Sequence, residues 1–170
     1  MTRLIITADI HGSHTSWLTI KALMGKKDGL VVAGDLFDTH YGSYSNPDFS
    51  PEAIKKDLCF FLHPFYYVYG NCDSETFAPG HKNKMIFEAF GKKMYLHHGH
   101  RAFNSREDVD IVIQGHTHLC SLEKIDNRIF MNPGSICRPR NSLMTYGVMD
   151  TSAISLVELK TGRILASINL

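Results

Sequence analysis

Paired cysteines, long apolar runs and a large net charge of either sign are all missing from this chain of 170 residues. The four cysteines, Cys59, Cys72, Cys120 and Cys137, form no CxxC pair, which excludes a zinc ribbon or a disulfide-stapled miniprotein and suits reduced thiols. No stretch approaches the roughly 20 apolar residues that cross a bilayer. The opening MTRLIITADI meets Asp9 before it could serve as an export segment, so a cytoplasmic protein without a membrane partner is expected. Lys and Arg number 18 against 17 Asp and Glu, a formal charge of +1, so no general field draws in nucleic acid or anionic lipid. Any anion site must be local. Internal repeats, low-complexity tracts and linkers are absent too, and the length suits one domain spanning 1–170 that buries about two-thirds of its unfolded surface.

What is abundant is histidine, with ten copies. Imidazole is the commonest metal ligand and titrates near neutral pH, so the positions matter more than the number.

The first half alternates short apolar runs with helical patterns. Runs at 4–8, 30–33 and 65–69 read as buried strands, and Trp17, Ile20, Leu23 and Met24 mark a helix that Ser13 can cap. A second helix is expected near Ser50 and Pro51, because proline suits the first helical position. Strand, helix, strand, helix, strand predicts parallel βαβ units. After residue 84 short strands follow one another, at 85–90, 93–97, 110–114, 119–125, 128–131, 146–150, 153–159 and 164–168. Asp126-Asn127 and Thr161-Gly162 suit hairpin turns. A mixed α/β arrangement follows, with two sheets face to face and helices outside. The polar loop 39–50 is the expected mobile rim.

Five polar clusters stand at strand ends: DIH (Asp9 to His11), GDLFD (34–38), GNCD (70–73), HGH (His98 to His100) and GHTH (115–118). Loops at one edge of an α/β sheet converge into a crevice, so five such clusters can form one site. In Asp9-x-His11 and His116-x-His118 the side chains are two apart and, on extended backbone, project to the same side. Gly34, Gly70 and Gly115 precede the polar groups and allow sharp exits and close backbone approach. Oxygen and imidazole donors without a thiolate pair suit Mn, Fe, Co, Ni or Zn. Singly, each cluster reads as a turn or a surface histidine; their joint order is what carries weight.

That order resembles the calcineurin-like metallophosphoesterases, whose pattern is D-x-H, GD-x-x-D, GN-H/C-D, HGH and GH-x-H. The GNCD form, with NPGS at 132–135, is closest to the compact YfcE-like phosphodiesterases, and the resemblance covers nearly the whole chain. It implies a four-layer α/β/β/α sandwich of two mixed sheets flanked by helices. It also implies two divalent ions, manganese first, with Asp9, His11 and His118 on one, Asn71, His98 and His116 on the other, and Asp35 bridging. The implied activity is hydrolysis of a small phosphodiester by a metal-bridging hydroxide.

On the same grounds His100 faces the substrate phosphate, with Asn71 and Asp35 beside it in the catalytic set, and Cys72 and Arg140 are substrate contacts. Many relatives carry His where this chain has Cys72, a residue that could protonate the leaving oxygen. Asp38 and Asp73 read as orienting groups, and His97 as a packed histidine on the opposite side of its strand. The aromatic run 60–69 fits core and a subunit contact, which leaves a homo-oligomer open. Two rival readings remain: a protein-binding scaffold of the same fold, disfavoured by seven intact ligand positions, and a nuclease, disfavoured by the lack of a basic stripe.

Overall fold

The computed structural model describes residues 1–103 and 108–170. In chain order the elements are β1 (Leu4–Thr7), α1 (His14–Ala22), β2 (Gly29–Val32), α2 (Pro51–Leu58), β3 (Phe65–Tyr67), β4 (Lys84–Ala89), β5 (Lys92–His97), β6 (Ile111–Ile113), β7 (Ser121–Ile125), β8 (Arg128–Asn132), β9 (Thr145–Met149), β10 (Ala153–Glu158) and β11 (Ile164–Asn169). Every expected strand and both expected helices are present.

The strands form two mixed sheets. The first runs β11-β10-β9-β1-β2-β3, with β1, β2 and β3 parallel and β9 antiparallel to β1. The second runs β4-β5-β6-β8-β7, with β5, β6 and β8 parallel and β4 and β7 antiparallel at its edges. Asp126 and Gly162 take φ values of 55° and 71° in the β7–β8 and β10–β11 hairpins, where the sequence places turn residues.

Alternation along the strands decides what each face meets. Leu4 and Ile6 of β1 point between the sheets, where they join Val31, Met94, Leu96, Ile113 and Met131 in a fully buried layer. Ile5 of the same strand points the other way, with Leu30 and Val32, onto Trp17, Ile20 and Ile54 of the two helices. Truncating Leu96 to Ala in such a layer costs about 2–5 kcal/mol. Both helices among the described residues lie against the first sheet. On the outer face of the second, Tyr95 and Val112 are covered by Phe103 and Val109.

Local chemistry fixes the helix starts. Ser13 caps α1 by accepting from Ser16 N at 3.1 Å, and Pro51 opens α2. The loop expected to be a mobile rim is tied down at its far end: Asp48 accepts from the Ser13 hydroxyl at 2.5 Å and from Thr15 N at 2.9 Å, and Phe49 is buried. Tyr41 and Tyr44, 75% and 65% exposed, are the part that remains open. No helix among the described residues is long and apolar enough to cross a membrane.

Candidate metal centre

The turns that leave the parallel strands are stitched together by backbone hydrogen bonds. Asp9 N, His11 N and Gly12 N, beyond β1, donate to the carbonyls of Gly34, Asp35 and Leu36, beyond β2, at 3.1, 2.8 and 2.9 Å. Asp73 adds a second brace, its carboxylate accepting from the backbone N–H of Leu36, Phe37, Asp38 and Gly70. In the second sheet Gly115 N donates to His98 O at 2.9 Å, which joins the HGH and GHTH turns. The site therefore draws Asp9, His11, Asp35 and Asn71 from the first sheet and His98, His116 and His118 from the second.

The spacing within each pair works by a different route from the expected extended backbone. Asp9, His11, Asp35, Asp38, His116 and His118 all take left-handed conformations, with φ between 50° and 71°. Asp and His are among the few L-residues that visit this region at modest cost, so the types that bind cations also tolerate the turns that aim them. Strain of about 1–3 kcal/mol per such residue is held by the braces just described. Gly34 and Gly70 have a separate reason to be glycine. A Cβ at Gly34 would strike the His98 ring, and one at Gly70 would strike the Asp35 carboxylate and backbone nitrogen.

Hydrogen bonds to carbonyls fix the imidazole tautomers. His98 Nδ1 donates to Ala33 O at 2.8 Å and His118 Nδ1 to Arg138 O at 2.7 Å; His11 Nδ1 donates to Asp38 Oδ2 at 3.0 Å. In the neutral rings each Nε2 is then a bare lone pair. These lone pairs point at one another and at oxygens. His11 Nε2 lies 3.1 Å from His118 Nε2, and His118 Nε2 is 3.6 Å from Asp9 Oδ1. His98 Nε2 is 3.2 Å from both Asp35 Oδ2 and Asn71 Oδ1. Acceptors facing acceptors repel unless a cation lies among them, and this mixture of imidazole and carboxylate suits a borderline divalent ion.

Two overlapping groups carry the geometry: Asp9, His11 and His118, and Asp9, Asp35 and His98, each with ligand atoms within 4.8 Å of one another. A third group, His11, Asp38 and Cys72, also fits by distance. Its chemistry is poor, because Asp38 is already engaged by the N–H of His11 and by Arg138 Nη1 at 3.2 Å, and the Cys72 thiol is pushed far up by burial and then by Asp35. A neutral thiol is a weak ligand.

Titration follows the same crowding. Burial raises Asp9 from 3.8 to about 7, against the opposing pull of His98. Burial also acts on Asp35, but the His98 hydrogen bond and charge outweigh it and hold that carboxyl well below the usual range. His98 itself is raised, the pull of Asp35 overcoming desolvation. In the cation-free chain a proton on His98 thus does part of the work a metal would do. His100, His116 and His118 are lowered, chiefly by burial.

The remaining residues singled out from the sequence fall into three groups. His100 and His116 flank His98, with ring centroids 5.4 and 5.1 Å from it, and His100 Nδ1 is buried without a partner. Cys72 stands at the mouth, its N–H donating to Asp35 Oδ1 at 2.8 Å and its sulfur receiving Asn71 Nδ2 at 3.2 Å. Arg140 is exposed, its backbone N bonded to His118 O, and its charge contributes to the lowering of His116 and His118. His97 is buried on the far side of β5 against Tyr95 and Phe103.

Two features support the site from a distance in sequence. NPGS is more than a turn: Ser135 Oγ donates to Asp9 O at 2.7 Å, and Asn132 Nδ2 donates to Gly115 O at 2.9 Å, so it braces both ligand turns. Arg138 is tied to Asp38. The Asn side chain at the end of β8, on the same edge as the clusters, was the available signal for the first; nothing local marks the second.

Comparison with known proteins agrees with this geometry. The calcineurin-like phosphoesterase superfamily domain matches residues 2–153. Phosphodiesterase YfcE of Escherichia coli K12 is 26% identical over 99% of this chain and 98% of its own. A probable metallophosphoesterase of Mycoplasma pneumoniae is 30% identical, covering 86% of this chain and 87% of its own. The solved structure of the E. coli phosphoesterase YfcE superposes with a TM-score of 0.80 at 26% identity, covering 98% of both chains. Vps29 of Entamoeba histolytica in complex with zinc superposes with a TM-score of 0.66 at 18% identity and 98% coverage of both chains, a likeness of fold. The chain belongs to the calcineurin-like phosphoesterase superfamily, in its YfcE-like branch.

Proposed function

We propose that the protein is a metal-dependent phosphodiesterase that acts on small phosphodiesters in the cytoplasm and works with two divalent transition-metal ions, manganese first among Mn, Fe, Co, Ni and Zn. The observation that carries the reading is the pair of Nε2 lone pairs of His11 and His118, 3.1 Å apart with both Nδ1 protons committed elsewhere. Such a pair asks for a cation.

Asp9, His11 and His118 would hold one ion and Asn71, His98 and His116 the other, with Asp35 between them. The ions would supply Lewis acidity and a nucleophilic water made acidic at neutral pH. The chain's own residues do the rest. Asp38 keeps His11 in the tautomer that leaves Nε2 free, and Ala33 O and Arg138 O do the same for His98 and His118. Asn71 is a neutral ligand, so two carboxylates face two dications and the centre retains positive charge for an anionic ester. His100, whose ring stands beside those of His98 and His116, would hydrogen-bond a phosphoryl oxygen, and the exposed Arg140 would add charge at the rim.

Cys72 cannot serve as an efficient proton donor, because burial and the nearby carboxylates hold the thiol proton too tightly. Esters whose leaving groups depart without protonation are therefore the preferred substrates. Elemental analysis of the purified protein, together with hydrolysis of aryl phosphate diesters and monoesters with Mn added or chelated, tests the proposal. Bound transition metal and chelator-sensitive diester turnover are expected; absence of both returns the chain to the scaffold reading. Full turnover by His116→Ala or Asn71→Ala would remove the two-ion assignment.

A further inference from the structure

Beside the metal centre, and sharing His98 and His100 with it, runs a groove of about 920 Å³ between the edge of the first sheet and the outer face of β4 and β5. Its size lies within the range of sites for drug-sized ligands, roughly 300–1,000 Å³. Its charge differs from that of the molecule. The chain balances 18 basic against 17 acidic residues, but among the described residues the groove is lined by Lys82, Lys84 and Arg101 and by no Asp or Glu. None of these three cations has an ion-pair partner among the described residues.

The strand register arranges this wall. Lys84 pairs with His97 and Ile86 with Tyr95 across β4 and β5, so a cation, an imidazole, an aliphatic group and a ring share one face. Lys84 Nζ sits 5.9 Å from the centre of the Tyr95 ring. His97 is 6% exposed, lines the groove and has a buried Nε2 without a hydrogen-bond partner among the described residues. A buried polar nitrogen left open in a groove wall calls for a ligand group or a water to satisfy it. Opposite, Phe65 gives an apolar surface.

Resting on the phosphodiesterase reading, we propose that this groove takes one organic arm of the substrate, and that this arm carries a flat or apolar moiety together with a second anionic group, as a nucleotide does. The scissile phosphate lies at the metal centre, and the second anion meets Lys82, Lys84 and Arg101. His97 and His100 line the way between the two.

Calorimetric titration of the chelated protein with thymidine and with thymidine 5′-monophosphate reads the groove without turnover. The monophosphate is expected to bind at least about 10-fold more tightly than the nucleoside, the effect of one good charge contact. A triple variant, Lys82→Gln, Lys84→Gln and Arg101→Gln, is expected to lose that discrimination while keeping the wild-type melting midpoint. Equal affinities, no binding, or discrimination that survives the triple variant would overturn the proposal. Turnover of thymidine 5′-(4-nitrophenyl phosphate) by the Mn-loaded wild type, measured in parallel, judges the hydrolase reading separately.

Discussion

Asp9 is the residue on which stability and function pull hardest against each other. It is fully buried, and without a metal its pKa stands at about 7 instead of 3.8. That gap corresponds to about 4 kcal/mol held against the ionised form in the folded chain. The sign follows from the direction. A carboxyl with a raised folded pKa binds its proton more tightly when folded, so the folded state is favoured at low pH and loses that advantage as pH rises from 3.8 to about 7. Replacing Asp9 by Asn removes the titration while leaving an amide oxygen to accept from His116 N, which lies 3.0 Å from Asp9 Oδ2. His98 is raised in part by Asp9 and in turn pulls on it, so the difference between wild type and Asp9→Asn reads this group together with its coupling to His98. In chelator, urea unfolding across pH 4–8 is expected to show Asp9→Asn gaining on wild type as pH rises, by up to about 4 kcal/mol at pH 8. With Mn the gap narrows: a ligand at 100-fold its Kd stabilises wild type by about 2.7 kcal/mol while the variant gains little, so its lead at pH 8 should shrink to about 1 kcal/mol. A pH-independent difference, or an equal metal gain in both proteins, would refute the reasoning.

Gly70→Ala forces a Cβ into the Asp35 carboxylate, so bound metal and diester turnover should fall by at least about 100-fold, with about 1–3 kcal/mol lost from folding; full metal occupancy in the variant would contradict the close approach. Asp38→Asn loses the carboxylate that holds both His11 and Arg138, and metal affinity measured by competition with a chelator should drop by about 10–100-fold. Cys72→His introduces a group able to protonate a leaving oxygen, so kcat/KM on alkyl diesters should rise relative to aryl diesters by at least about 10-fold; an unchanged ratio removes that role. His97, lowered to about 4 by burial, disfavours its charged form, so it contributes stability that is lost as pH falls from 6.5 to about 4. His97→Phe should flatten that part of the unfolding profile.

The succession of strands along the chain and the five clusters were legible because both rest on local chemistry: apolar runs that end in Gly, Asp, Asn or His. The backbone geometry was less so. The two-residue spacing of Asp9 and His11 suggests extended chain, but the two turns must cross to share hydrogen bonds with 34–36, and left-handed φ values achieve this. Ser135 and Arg138 act through contacts 126 and 100 residues away in sequence, to Asp9 and Asp38, and no local pattern announces them. The groove was hidden for a similar reason. No basic residue interleaves with the aromatic run 60–69, yet Phe65 faces lysines supplied by 82–84, where the chain returns along the sheet edge.

The division of the ligands between two sheets bears on how the molecule assembles. Neither sheet by itself carries all of the proposed ligands, and the Nε2 atoms of His11 and His118 come within 3.1 Å across the apolar layer between the sheets. If the proposed ligands hold metal, its capture should come late in folding, and an ion held at full affinity would report that both halves of the chain have docked. A newly made chain that binds metal early can use only fragments such as His116-x-His118, so excess metal during refolding should slow the reaction by trapping wrong pairings. The same ion that delays an unfinished chain would lock the finished one, by slowing separation of the sheets.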